Sequence, residues 1–452
     1  MSNVILLPTA KGAATPLDLF LRVGEAHHGQ IAALYTEGKV PVRRAILDAS
    51  RLRYQLHFLK TLREDGVELT LDPKTAELAA LTKFEGWASG APWADGTLHL
   101  PDQFDDARCR RLAESIAREA VEKQFDRVLS PTHFLKEGVL DPWFRIDVRL
   151  CDLLRVALDQ AGGSHIAIDY VVIIEQLKLR DEAVRSALLA QLAALPFENI
   201  IFRISHFGSD ASATGIRTLI TLLERFQNFG HPVVIDHVGG LVGRALLAFG
   251  VAGGIAHGVD EHLRFDATPW NRSVREPEPD EEGRSGGAPK RIAITLFDRT
   301  FTVPELTALA RAKNGGRLMV CSDPNCCRSL ADMISHSKRH SITQEVRAIN
   351  ALNKTPDLMR AQHFLEVELA EVDRFGRQVK DLKPIISELK PRKGQTAEQA
   401  AESLTRRLAD HALRNEKMRA SLENLHSVRG LDLPRAPAAH LSPRVRNSSR
   451  NP

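Results

Sequence analysis

Cysteine is scarce in this chain, with five in 452 residues, too few for the disulfide framework of a small secreted scaffold. Long apolar runs are missing too. No stretch approaches the ~20 apolar residues that a membrane helix needs. The start, "MSNVILLPTA", has no basic flank and too short an apolar run for a signal peptide. These absences give the expectation of a cytoplasmic protein with no membrane association, in which clustered thiols are metal ligands rather than disulfides. An excess of one charge is also lacking. Sixty-one Lys and Arg face 57 Asp and Glu, a formal net charge of +4, too little to imply a nucleic-acid partner by itself. What is present is ordinary globular material, 43% hydrophobic and 26% charged, long enough for one large domain with an appendage or for two or three domains.

Short apolar runs alternate with helix-period segments over the first part of the chain. The runs are "NVILLPT" (Asn3–Thr9), "VRRAILDAS" (Val42–Ser50), "VELTLDP" (Val67–Pro73), "DRVLSPT" (Asp126–Thr132), "HIAIDYVVII" (His165–Ile174), "NIIFRISH" (Asn199–His206), "PVVIDHVGG" (Pro232–Gly240) and "VAGGIAHG" (Val251–Gly258). Strands alternating with amphipathic helices pair in parallel through right-handed crossovers. Eight such units in roughly 260 residues predict an α/β fold of the (β/α)8 TIM-barrel class, with a doubly wound sheet as the alternative. The barrel is expected over residues 1–270 and a Pro- and Gly-rich acidic linker over 271–290. A hairpin around Asp298-Arg299, a Cys-rich subdomain and a helix come next, over 291–382. C-terminal helices over 383–428 and a disordered basic tail over 429–452 complete the organisation.

In such a barrel, chemistry sits where the strands end. The expected ends carry Asp48, Asp72, His133, Arg203 with His206, Asp236 with His237, and His257. As a set they point to a polar mouth that binds a ligand, although any single Asp there also serves as a helix cap or turn residue. In "DHVGGLVG", Gly239 and Gly240 form a strand-to-helix turn whose N–H groups could hold an anion. Asp169 lies in the middle of an apolar strand. It is expected either to serve the site or to be buried against an arginine such as Arg203.

Three of the five cysteines crowd into "CSDPNCC" as Cys321, Cys326 and Cys327, followed by His336, His340 and His363. Thiolates with a later imidazole suit a structural Zn2+, and Pro324 and Asn325 favour the tight turn between them; reduced, unliganded cysteines or a redox pair of Cys321 with Cys326 are the alternatives. Adjacent Cys326 and Cys327 are expected not to face one metal easily, which would leave one a spectator.

Barrel, hairpin, Cys knuckle and then helices supplying a histidine: this order resembles the tRNA-guanine transglycosylase superfamily. The resemblance implies Cys321, Cys326, Cys327 and, in "AQHF", His363 as zinc ligands. It implies exchange of a guanine base in DNA or tRNA for a 7-deazaguanine. An Asp near the end of the eighth strand would be the nucleophile, with Asp260 and Asp266 in "GVDEHLRFD" as candidates. Asp72, at the end of the third strand, would assist, although "DPKTA" stands there in place of the family's glycine motif. The implied partners are nucleic acid, which the Arg-rich tail could contact, and a 7-deazaguanine-type small molecule.

Two other readings remain open. A metal-dependent hydrolase would use Asp236, His237, His206 and His257. A non-catalytic nucleic-acid-binding zinc protein would use its charged C-terminal helices for a homodimer or another protein partner.

Overall fold

The computed structural model describes residues 17–429 apart from 25–27, 39, 41, 228 and 272–288. The expected strand at Asn3–Thr9, nearly all of the linker and the basic tail lie outside the described residues. The first barrel strand is instead "DLFLRV", β1 (Asp18–Val23). The other seven fall on the expected runs: β2 (Arg44–Asp48), β3 (Glu68–Asp72), β4 (Arg127–Leu129), β5 (Ala167–Glu175), β6 (Asn199–Ser205), β7 (Val233–Asp236) and β8 (Gly254–His257). Each pairs in parallel with the next, and β8 pairs with β1, Asp18 opposite Gly254, so the sheet closes on itself. The protein is a (β/α)8 barrel.

Alternation along the strands sorts side chains to two sides. Leu21, Leu47, Leu71, Val172, Phe202 and Ile235 face outward into one continuous core with the surrounding helices. Three of those helices begin where a side-chain oxygen satisfies free N–H groups: Asp105 caps Asp106–Glu122, Asp141 caps Pro142–Gln160 and Asp181 caps Glu182–Leu192. Inward, Phe20, Ile46, Val171, Ile201 and Val234 form a middle apolar layer. Above and below it the barrel is ionic.

The lower layer explains Asp169. Its carboxylate takes a two-point grip from Arg127 on β4, with Nη2–Oδ1 at 2.5 Å and Nε–Oδ2 at 2.9 Å, and also accepts from Asn199 Nδ2 at 2.8 Å. Arg44 lies beside it, 3.3 Å from Asp18 and 3.5 Å from Glu68. Asp169 is therefore a partnered floor residue at the end of the barrel away from the mouth, and its partner is Arg127, not Arg203. A buried carboxylate without such partners would be strongly unfavourable.

After the barrel, β9 (Arg291–Ile294) and β10 (Arg299–Thr302) form an antiparallel hairpin that turns at Asp298, as expected. Thr302 and Glu305 make a reciprocal capping box for the helix Val303–Ala310. The hairpin, this helix and the knuckle build a second core around Phe297, Phe301, Leu309 and Met333. The helix Ser337–Lys354 ties back to the barrel, where Asn353 Oδ1 accepts from Leu17 N at 2.6 Å, at the entry to β1.

The last helix, Ala397–Arg429, buries Leu404, Leu408, His411, Asn415, Met418, Leu422 and Leu425. That spacing of alternately four and three residues draws one stripe along the helix. Leu404 and Leu408 enter the second core, whereas Met418 and Leu422 enter the barrel's outer core. Its apolar stripe is thus used within the chain. No helix among the described residues is long and apolar enough to cross a membrane.

Candidate functional site

Arg22, on the strand that the sequence pattern did not single out, organises the barrel mouth. Its guanidinium grips Asp236 at two points (Nε–Oδ1 2.6 Å, Nη2–Oδ2 2.7 Å) and reaches Asp72 Oδ2 at 2.9 Å. Arg203 repeats the pattern, at 2.9 Å from Asp236 Oδ2 and 3.0 Å from Asp72 Oδ2. Lys74 Nζ joins Glu77 at 2.6 Å and Asp48 at 3.7 Å. Burial alone would raise Asp72 and Asp236, but the two guanidiniums hold both carboxyls below the ordinary range. Asp48 is pushed up to about 6 by burial, with Lys74 opposing. Asp72, the expected assisting carboxylate, is therefore locked between two arginines, and the space beside it is about 10 Å³.

The expected mouth residues separate into distinct surroundings. His133 is buried, stacked on Trp143 with centroids 3.6 Å apart, and held by Asp147 at 2.7 Å from Nδ1. His206 sits outside, 48% exposed, with Thr268 Oγ1 at 2.9 Å and Asp266 at 3.6 Å. Asp266 in turn accepts from Thr268 N at 2.9 Å, an outer turn rather than a mouth position. His237 is buried edge-to-face against His262, with centroids 4.9 Å apart. Asp236, His237, His206 and His257 form no metal-sized cluster among the described residues.

A cavity of about 460 Å³ opens between the ends of β7 and β8 and the post-barrel unit. The barrel contributes Gly240, His257 and Asp260. The hairpin contributes Asp298, and the helix Ser337–Lys354 contributes Glu345. Asp260 comes three residues after β8, with φ 58°. Its Oδ2 is buried without a hydrogen-bond partner, with Lys338 Nζ at 3.7 Å. His257 Nδ1 engages Gly258 O at 2.7 Å, which in the neutral ring leaves the lone pair on Nε2. That Nε2 is buried without a hydrogen-bond partner and stands 3.8 Å from Glu345 Oε1. Buried polar atoms left unsatisfied cost free energy, and these two belong to residues that line the cavity. Arg264, Arg291, Arg299 and Arg414 also line it.

The glycine turn is used differently from expectation. Gly240 N donates to Glu345 Oε1 at 3.1 Å and Leu241 N donates to Asp298 Oδ1 at 3.1 Å. Carboxylates from the post-barrel unit already occupy the helix N-terminus that was expected to hold an anion. Gly240 has φ 62°, and a Cβ there would collide with Asp298 Oδ1. At Gly239 a Cβ would lie 2.9 Å from the His257 ring. Only glycine admits these approaches.

The cysteines do converge. Cys321, Cys326, Cys327 and His340 present ligand atoms that all lie within 4.8 Å of one another. The histidine is His340, not His363, which ends the separate short helix Arg360–His363. His340 Nδ1 is 3.5 Å from Cys326 Sγ and 3.4 Å from Cys327 Sγ, and Nε2 donates to Ala293 O at 3.0 Å. That outer bond fixes the tautomer with the Nδ1 lone pair toward the sulfurs, the usual arrangement of a metal-binding imidazole. Nor is either adjacent cysteine a spectator. Both N–H groups donate to Asp323 O, at 3.0 and 2.9 Å, curling the chain so that the two Sγ atoms stand 3.7 Å apart. Thiolates at ~2.3 Å from one tetrahedral zinc would be separated by roughly 3.8 Å. Burial would raise the Cys326 thiol, but its polar neighbours His340 and Gln344 bring it down to about 7. The cluster could hold a metal ion such as zinc.

Sequence reasoning missed Arg22, Lys74, Glu77, Asp298, Glu345 and the role of His340. The available signal for Arg22 was its charge in "DLFLRV", four residues after Asp18 and so on the same face of a strand. For His340 no sequence signal was available, since His336 is nearer the knuckle. No family model and no curated protein matches the chain. Among solved structures, it is similar to the endo-1,4-beta-xylanase XylE of Penicillium canescens, with TM-score 0.33 and 9% identity over 53% of this chain and 81% of that one. It is also similar to a mutant xylanase A of P fluorescens subsp. cellulosa in complex with xylopentaose, with TM-score 0.35 and 11% identity over 55% of this chain and 87% of that one.

Proposed function

We propose that the protein is a transglycosylase-like enzyme that exchanges a guanine base in nucleic acid for a 7-deazaguanine, with Asp260 as nucleophile. One observation carries this reading. Asp260, the Asp nearest the end of the eighth strand, lines the 460 Å³ cavity and has a carboxylate oxygen with no hydrogen-bond partner. A carboxylate so placed can attack a glycosidic carbon and hold the sugar covalently while bases exchange. The nucleotide would be extruded from its strand to reach it. Lys338 Nζ stands 3.7 Å from that Asp260 oxygen. The four arginines lining the cavity suit the phosphates flanking an extruded nucleotide. His257 and Glu345 offer an acceptor and a carboxylate that could read the base edge.

Zn2+ held by Cys321, Cys326, Cys327 and His340 would be structural. It would pin the knuckle to β9 through Ala293 and so fix the hairpin that walls the cavity. Asp72 has no place in the chemistry, because both neighbouring guanidiniums consume its charge.

The test is incorporation of labelled 7-deazaguanine into DNA and into tRNA, with wild type beside Asp260→Asn. We expect incorporation into one of the two by wild type and none by the variant, which keeps the side chain's shape but not its charge. No incorporation into either nucleic acid by wild type would refute the proposal and leave a binding role for the cavity.

A further inference from the structure

Asp72, the carboxylate in the assisting position, is unavailable for proton transfer, so the exchange needs another acid. We infer that Asp298, carried on the hairpin outside the barrel, is the general acid and base of the reaction. The inference rests on the base-exchange reading above. Asp298 lines the same cavity as Asp260. Its Oδ1 is committed to Leu241 N at 3.1 Å, while Oδ2 is buried without a hydrogen-bond partner. Its side chain is only 9% exposed, and Arg414 Nη1 lies 3.6 Å from Oδ2. The backbone is shaped for it on both sides: Asp298 takes a left-handed φ of 54° at the hairpin turn, and the facing residue is Gly240, the residue type that leaves it room. Burial raises its carboxyl above the ordinary value, opposed by Arg244, Arg414 and the Leu241 N–H and reinforced by Glu345. A carboxyl whose affinity for its proton is raised by its surroundings is better suited to general acid–base work than an ordinary one.

The steps balance. A carboxylate oxygen of Asp260 bonds to the glycosidic carbon as the bond from that carbon to the base breaks. The bonding electron pair leaves on a ring nitrogen of guanine, and Asp298 gives that base its proton. The incoming 7-deazaguanine then loses a ring N–H proton to the Asp298 carboxylate as its nitrogen bonds to the sugar carbon. The Asp260 ester bond breaks, and both side chains return to their starting states.

A substrate that needs no proton separates this role from a structural one. 7-Methylguanine in a nucleotide carries a positive charge and departs as a neutral base without an acid. Asp298→Asn keeps an oxygen for the Leu241 N–H, so its melting temperature should match wild type. In the nucleic acid that wild type accepts, the variant should lose guanine exchange by ~10²- to 10⁴-fold. It should release 7-methylguanine at a rate close to that of wild type, while Asp260→Asn should lose both reactions. Equal loss of both substrates in Asp298→Asn, or loss of neither, would overturn the acid assignment alone. Wild type that exchanges no guanine would overturn the base-exchange reading along with it.

Discussion

Asp72 and Asp48 show how far a residue's neighbours decide its chemistry. Both end parallel strands and both are buried, yet one is held ionised and the other is pushed toward the neutral form. Three cations (Arg22, Lys74 and Arg203) face four carboxylates (Asp48, Asp72, Glu77 and Asp236), which leaves one negative charge unmatched when all are ionised. Removing one member of such a buried network strands its partners. Asp72→Ala should therefore cost about 3–5 kcal/mol in denaturant unfolding, whereas loss of a helix cap would cost about 1 kcal/mol.

The pH dependence has two parts of opposite sign. The depressed Asp72 and Asp236 add stability above their unfolded value of ~3.9, and it is lost as pH falls further through their folded values. Asp48, raised to about 6, adds stability below its unfolded value of ~3.9, and it is lost as pH rises through its folded value. Thermal melts between pH 4 and pH 7 should therefore slope downward with pH in wild type and less so in Asp48→Asn. Identical slopes would contradict the assignment. The ionisable strand ends were legible in the sequence, because alternation placed Asp48, Asp72, Arg203 and Asp236 there. Which of them would neutralise one another was not, since that depends on Arg22 reaching across the lumen.

Among elements, the knuckle and the last helix are the clearest cases of what spacing can reveal. Three thiols in one turn were enough to expect a metal site. The fourth ligand was not fixed by spacing, because His336, His340 and His363 all come later in the chain and only packing decides which one faces the sulfurs. His340→Ala should lose the bound metal in elemental analysis of purified protein, and His363→Ala should retain about one equivalent. Metal retained in the first variant would remove His340 from the ligand set. The helix Ala397–Arg429 reads as heavily charged, yet its four-then-three stripe is fully used by two cores. Leu408→Ala and Leu422→Ala should each destabilise by ~2–5 kcal/mol, the first through the post-barrel core and the second through the barrel's outer core.

At the scale of the whole molecule, seven of the eight barrel strands were legible because each run is apolar and bounded by turn residues. The first was not, since "DLFLRV" carries two charges in six positions and only a closed lumen gives those charges partners. The candidate site was legible only in fragments, because it forms between two parts of the chain. Asp260 and His257 come from the barrel, and Asp298 and Glu345 come from the post-barrel unit. The most direct test of the account is capture of the covalent intermediate. Wild-type protein incubated with guanine-containing DNA or tRNA, then denatured and digested, should yield one peptide carrying a nucleotide adduct, with the attachment at Asp260. No adduct with either nucleic acid, or an adduct at Asp72 or Asp266, would contradict it.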